Sequence, residues 1–236
     1  MNQSQLLSNI QSRISAACAL AGRAPDCVRL LAVSKTFPLS CILNFYHCGQ
    51  TAFGENYLQE ALDKITHLAD HPDEHGNRLQ IEWHFIGPIQ SNKTKAIAEN
   101  FHWVHSVDRL KIAQRLSDQR PSHFPPLNVL VQINTSGEKH KSGIEPADAI
   151  SLCHSVSSMK NLKLRGVMTI PSQTDHFEEL KNEFLLCKSI FDELNKQGLK
   201  LDTISMGMSN DLELAIECGS TCVRVGSALF GKRHYT

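Results

Sequence analysis

Arg29-Leu30-Leu31-Ala32-Val33-Ser34-Lys35-Thr36 is an apolar run that reaches an amine where it meets the polar turn before Pro38. Read as a strand over Val28 to Lys35, its side chains alternate, so that Leu31, Val33 and Lys35 share one face with Lys35 outermost. A lysine at the carboxyl end of a buried parallel strand has a dry stem and a solvent-facing tip. Burial lowers its pKa toward the reactive neutral amine, which is how a Schiff-base lysine is built. The plain alternative is a lysine that ends a strand and snorkels to water.

Seven further strand-like runs follow: Thr51 to Glu55, Ile81 to Ile86, Trp103 to Ser106, Asn128 to Asn134, Lys163 to Thr169, Thr203 to Met206 and Cys222 to Val225. Helix-like segments separate them, which is the pattern of βα units and a parallel sheet. Pro146 stands near the start of a helix over Ala147 to Val156, and Phe177, Leu180, Phe184, Cys187, Phe191 and Leu194 line one face of a long helix stopped by Gly198. Cys48-Gly49-Gln50-Thr51 and Cys218-Gly219-Ser220-Thr221 echo each other, each with a glycine placed to end a helix and turn into a strand. Eight strands each followed by a helix predict an α/β fold, a single (β/α)8 barrel of the TIM type over residues 1–236. A doubly wound open sheet is the alternative, and no G-x-G-x-x-G follows the first strand to support it.

Composition removes several classes of function. The chain of 236 residues carries 24 Lys plus Arg against 24 Asp plus Glu with no block of like charge, so it offers no electrostatic footprint to nucleic acid or to an anionic membrane. Met1 to Leu20 places Leu6, Ile10, Ile14 and Cys18 at helical spacing among polar residues, an amphipathic helix rather than a secretory signal. No apolar stretch approaches a membrane span, and a cytoplasmic, monomeric protein is expected. The eight cysteines are scattered over periodic segments and read as reduced thiols. Cys218 and Cys222 lack a second pair at zinc spacing, and His67, His71 and His75 lie by a stretch that reads as a solvated loop; no metal site is expected.

In a closed barrel the first and last strands are neighbours, so Lys35 shares a site with Arg224, which stands between Val223 and Val225 and needs an anionic or acceptor partner. A structural ion pair at the rim is the other reading of Arg224. Gly207-Met208-Ser209-Asn210-Asp211 and Gly226-Ser227-Ala228 follow strands seven and eight, where barrels of this kind often bind phosphate. Ser-Asn-Asp before a helix is also an ordinary N-cap. With Lys35, the two loops describe a ligand carrying a phosphate at one end and an aldehyde at the other, and pyridoxal phosphate fits.

Ala32-Val33-Ser34-Lys35-Thr36, Phe53-Gly54-Glu55-Asn56-Tyr57, Trp83-His84-Phe85-Ile86-Gly87-Pro88-Ile89-Gln90-Ser91-Asn92-Lys93, Leu164-Arg165-Gly166-Val167-Met168-Thr169-Ile170 and Ser205-Met206-Gly207-Met208-Ser209-Asn210-Asp211 occur in that order. Together they resemble the pyridoxal phosphate homeostasis proteins, the YggS family of bacteria, over nearly the whole chain. The resemblance implies a barrel like the N-terminal domain of alanine racemase, with pyridoxal 5'-phosphate held as a Schiff base on Lys35. It also implies that Ser209, Gly226 and Ser227 hold the phosphate, that Asn56 lies near the ring or its hydroxyl, and that Arg224 faces the pyridine nitrogen. The Lys-Ser-Gly loop around Lys141 departs from the family at Glu138, Lys139 and His140, and neither Lys141 nor Lys93 is given a role.

An arginine at the ring nitrogen can only donate, which leaves the ring a weak electron sink. Alanine racemase takes its second base, a tyrosine, from an additional C-terminal domain, and none of Tyr46, Tyr57 and Tyr235 has a claim to that position. The expectation is a carrier or buffer of the cofactor serving apoenzymes, with no catalytic residue of its own. A small amino-acid racemase, or a phosphate-ester enzyme using Lys35 without the cofactor, are the competing readings.

Overall fold

The computed structural model describes residues 2–71, 78–138 and 140–231. Strands β1 (Arg29–Val33), β2 (Ala52–Glu55), β3 (Glu82–Phe85), β4 (Trp103–Val107), β5 (Leu127–Ile133), β6 (Leu162–Thr169), β7 (Thr203–Ser205) and β8 (Cys222–Val225) pair in sequence order, and β1 pairs in parallel with β8 to close a barrel. The helices between them are α2 (Leu39–Tyr46), α3 (Leu58–Asp70), α4 (Thr94–Asn100), α5 (Leu110–Gln119), α6 (Pro146–Ser157), α7 (Phe177–Lys196) and α8 (Leu212–Glu217), and the short α9 (Ser227–Phe230) follows β8.

Burial on both faces explains why the strands read as continuous apolar runs. Leu30 and Ala32 face the layer between barrel and helices, whereas Leu31 packs inside with Ala52 and Cys222. Since α9 is only four residues long, the ring of helices is thin beside β8, and α1 (Gln3–Leu20) packs there against α8 and α9. Leu7, Ile10, Ile14, Ala17 and Cys18 form its buried stripe, and Leu6, expected on that stripe, is only partly buried. Gly49 and Gly219, at the two echoing junctions, take φ of 98° and 100°, a conformation that glycine alone adopts without strain.

Two expectations need correction. The first strand stops at Val33, not Lys35. Ser34 N still donates to Gly54 O (3.0 Å), but Ser34 O then accepts from Phe37 N (3.1 Å), so Lys35 and Thr36 form the centre of a turn. The histidine stretch is also not all loop, because α3 runs to Asp70 and His67 stacks on His71 at its end, ring centroids 4.2 Å apart. His75 and Tyr235 lie outside the described residues. All eight cysteines are free, and among the described residues no group of three His, Cys, Asp or Glu side chains is placed to hold a metal ion. No helix among the described residues is long and apolar enough to cross a membrane.

Candidate functional site

The carboxyl ends of β1, β2, β3, β6, β7 and β8 and the turns after them surround a cavity of about 670 Å³. Its lining includes Lys35, Asn56, Ser209, Arg224, Gly226 and Ser227, all six residues singled out in the sequence. The volume lies within the range of about 300–1,000 Å³ usual for cofactor sites. Lys35 is half-buried at one wall, and Lys141 lines a smaller cavity that shares Asn56, Ile86 and Ile170 with the large one.

Thr36, directly after Lys35, has φ 68°, the left-handed region in which a β-branched residue is strained. What holds it is a buried ionic cluster between β2 and α3. Glu55, fully buried, accepts from Ser34 Oγ (2.6 Å) and from Lys64 Nζ (2.8 Å), while Lys64 also donates to Glu60 (2.6 Å) and to Ser34 O (3.2 Å). Glu60 then accepts from Thr36 N (2.7 Å). Both neighbours of Lys35 are thus tied to one cluster. Burial pushes the Glu55 carboxyl up, and the Lys64 charge opposes that rise; its Oε2 has no hydrogen-bond partner among the described residues. Sequence reasoning missed this cluster, although Glu60 and Lys64 stand at i,i+4 spacing on a helix that starts just after Glu55.

On the opposite wall, Gly207 (φ 95°) lets the chain turn sharply after β7, where an added Cβ would stand 2.6 Å from the Ala215 side chain. Asp211 Oδ1 accepts from Met208 N, so the acidic residue closes its own loop. Ser209 Oγ accepts from Ala228 N (3.5 Å), which links the loop after β7 to the turn after β8. From outside, Arg13 of α1 donates to Ser209 O (3.1 Å) while paired with Glu213 (2.7 Å). The N-terminal helix therefore braces the loop that carries Ser209.

Arg224 rises from β8 inside the barrel with only 5% of its surface exposed. Nη1 donates to Ser205 Oγ (2.8 Å) and Nη2 to Thr169 O (2.9 Å), both neutral acceptors. Burial pushes its pKa down, but a guanidinium stays charged. A buried cation on neutral acceptors, a neighbouring amine and two serine hydroxyls form a donor set suited to an anionic ligand with a carbonyl to be attacked, and pyridoxal phosphate has those groups. The rim ion pair, the alternative reading of Arg224, is absent among the described residues.

Comparison with known proteins agrees with this geometry. The family model for the alanine racemase N-terminal domain matches residues 6–234. The pyridoxal phosphate homeostasis protein of Vibrio alginolyticus is 51% identical over 233 residues, 98% of each chain. PipY of Synechococcus elongatus, solved with PLP bound, superposes with a TM-score of 0.78 at 33% identity, covering 94% of this chain and 100% of that one. An alanine racemase of Clostridium difficile shares the fold, with a TM-score of 0.77 at 16% identity, and the match covers 99% of this chain but 60% of the racemase. The chain belongs to the alanine racemase N-terminal domain family and, within it, to the pyridoxal phosphate homeostasis proteins.

Proposed function

We propose that this chain binds pyridoxal 5'-phosphate covalently through Lys35 and acts in cytoplasmic homeostasis of that cofactor, as a monomeric carrier that supplies apoenzymes without turning over a substrate. The observation that carries the reading is the common cavity, in which the Lys35 amine, the buried Arg224 and the Ser209 and Ser227 hydroxyls meet. When bound, pyridoxal phosphate supplies an aldehyde that condenses with an amine and a pyridine ring that draws electrons strongly only when its nitrogen is protonated. Ser209, Ser227 and the backbone around Gly226 hold the phosphate. Asn56, on the same cavity, would lie near the ring or its hydroxyl. Arg224 would donate to the ring nitrogen and give it no proton, because a guanidinium does not deprotonate at ordinary pH. The relatives are named for homeostasis rather than for a reaction. Neither described tyrosine takes the place of a second base: Tyr46 Oη accepts from Gln80 N at the outer layer, and Tyr57 is half exposed at the start of α3.

Reduction of the loaded protein with borohydride followed by peptide mass mapping tests the attachment. A tag on Lys35 is expected, with loss of the yellow chromophore in Lys35→Ala; a tag confined to Lys93 or Lys141 sinks the assignment. Incubation with L-alanine in deuterated water separates a carrier from a racemase. Exchange of the α-proton with inversion at about 1 per second or faster, an ordinary enzymatic rate, would replace the carrier reading by the racemase.

A further inference from the structure

Barrels of this type fill their interior mainly with branched aliphatic side chains. Here a column of polar groups crosses it. Glu82 Oε1 meets His84 Nε2 (2.5 Å), His84 Nδ1 meets His105 Nε2 (2.9 Å), His105 Nδ1 meets Ser205 Oγ (3.0 Å), and Ser205 Oγ meets Arg224 Nη1 (2.8 Å). His84, His105 and Ser205 are buried, with at most 1% of their surface exposed. Its two histidines line a second cavity, of about 300 Å³, at the amino-terminal mouth, with Arg29, Trp103 and Arg165. The column ends on the cofactor side, at Arg224.

We propose that Glu82, His84, His105 and Ser205 are positioning residues that form a one-way hydrogen-bond chain through the barrel, setting the orientation of Arg224 and coupling it to the far mouth. The direction follows from the ends. Glu82 is paired with Arg29 (2.7 Å) and is a carboxylate, so it accepts and His84 Nε2 carries the proton. Burial keeps His84 neutral, pushed down to about 4, and holds His105 well below the usual histidine range. His84 Nδ1 therefore accepts from His105 Nε2–H, and His105 Nδ1 in turn accepts from Ser205. The serine's one proton is committed to His105, which turns a lone pair toward Arg224. Arg224, which can only donate, fills that lone pair. Each donor faces Glu82, and reversing any link would set donor against donor or acceptor against acceptor. His84 is further fixed by stacking on Trp103, centroids 5.4 Å apart and planes 6° from parallel.

The part of this inference that concerns the cofactor rests on the placement of the ring nitrogen at Arg224; the direction of the chain does not. Nitrogen-15 NMR of the unloaded protein, labelled in histidine and arginine, reads that direction. His84 and His105 should both be neutral with the proton on Nε2 at about pH 7; a proton on Nδ1 of either ring, or an imidazolium, overturns the proposal. Glu82→Ala removes the terminal acceptor and should change the His105 tautomer signals and shift the Arg224 side-chain resonances, while Glu82→Gln, whose amide oxygen still accepts, should restore them. Unshifted Arg224 resonances in a folded Glu82→Ala protein refute the coupling. In the loaded protein the same variant should release pyridoxal phosphate about 3- to 10-fold more readily, as for the net loss of one hydrogen bond. Should the unloaded protein behave as expected while pyridoxal phosphate fails to bind at all, the functional reading falls and the chain stands. Ser205→Ala, with Ser205→Thr as rescue, repeats the coupling test from the other end.

Discussion

Lys64→Met tests what holds Lys35 in place. The substitution keeps most of the apolar stem and removes the cation shared by Glu55, Glu60 and Ser34 O. Glu55 is then left buried with an unpartnered Oε2 and only the Ser34 hydroxyl on Oε1. Breaking a buried ion pair on one side costs about 3–5 kcal/mol, but the carboxyl has an escape, because it can take up a proton. From an ordinary value of 4.5 in the unfolded chain, holding it neutral at about pH 7 costs about 3.4 kcal/mol at about 1.36 kcal/mol per unit. At about pH 5.5 the same step costs about 1.4 kcal/mol. A carboxyl whose folded pKa is raised adds stability below its unfolded value and loses it as pH climbs toward the folded value, so the deficit of the variant shrinks on acidification. Urea unfolding of both proteins at the two pH values should show a deficit smaller by up to about 2 kcal/mol at the lower one. Adding Glu55→Gln to Lys64→Met should abolish that difference. A deficit independent of pH in the single variant would refute the reasoning.

On the proposed phosphate placement, Ser209→Ala and Ser227→Ala each delete one hydroxyl donor to a charged acceptor, worth about 1.5–3 kcal/mol when buried; Ser209, half-buried and braced by Arg13, should cost more than the exposed Ser227. Dialysis retention of the chromophore measures both, and parent-like retention in the pair would place the phosphate elsewhere. His84 is pushed from 6.5 to about 4 chiefly by burial. The unfolded chain therefore binds the extra proton first, and stability should fall as pH drops from about 6.5 to about 4, by roughly 3 kcal/mol at about 1.36 per unit. Thermal unfolding against pH shows whether His84→Phe flattens that slope; an unchanged slope assigns it to other groups.

The fold was legible because both faces of a barrel strand are buried, so each strand announces itself as an apolar run whatever its partners. That Lys35, Ser209, Arg224 and Ser227 line one cavity was legible because they stand in or just after strands one, seven and eight, whose carboxyl ends share a mouth. The end of β1 was not, since an apolar run followed by Ser-Lys-Thr does not reveal that Thr36 turns through positive φ. Such a conformation is imposed from α3 by Glu60, 24 positions away. His84 and His105 were visible as polar residues in apolar runs, and each stands on the alternation that faces the barrel interior. Their own contact joins the adjacent strands β3 and β4, but the link onward needed the closed barrel, where His105 of β4 meets Ser205 of β7, 100 positions later.

The polar interior also bears on the proposed carrier role, in which an arginine stands where an acidic residue would make a stronger catalyst. An aspartate in the place of Arg224 would hold a proton on the ring nitrogen and favour chemistry at a bound amino acid's α-carbon. On the proposed placement of the ring nitrogen Arg224 removes that option, but burying it places a fixed positive charge among neutral acceptors, Ser205 Oγ and Thr169 O. Such a charge is costly unless its donors are met and its field is used. Ser205, the near end of the column, and Thr169 O meet the donors, and under the proposed function the negative charge of a bound phosphate ester uses the field. Under the proposed function the same residue opposes turnover and favours retention, the combination a cofactor reserve needs.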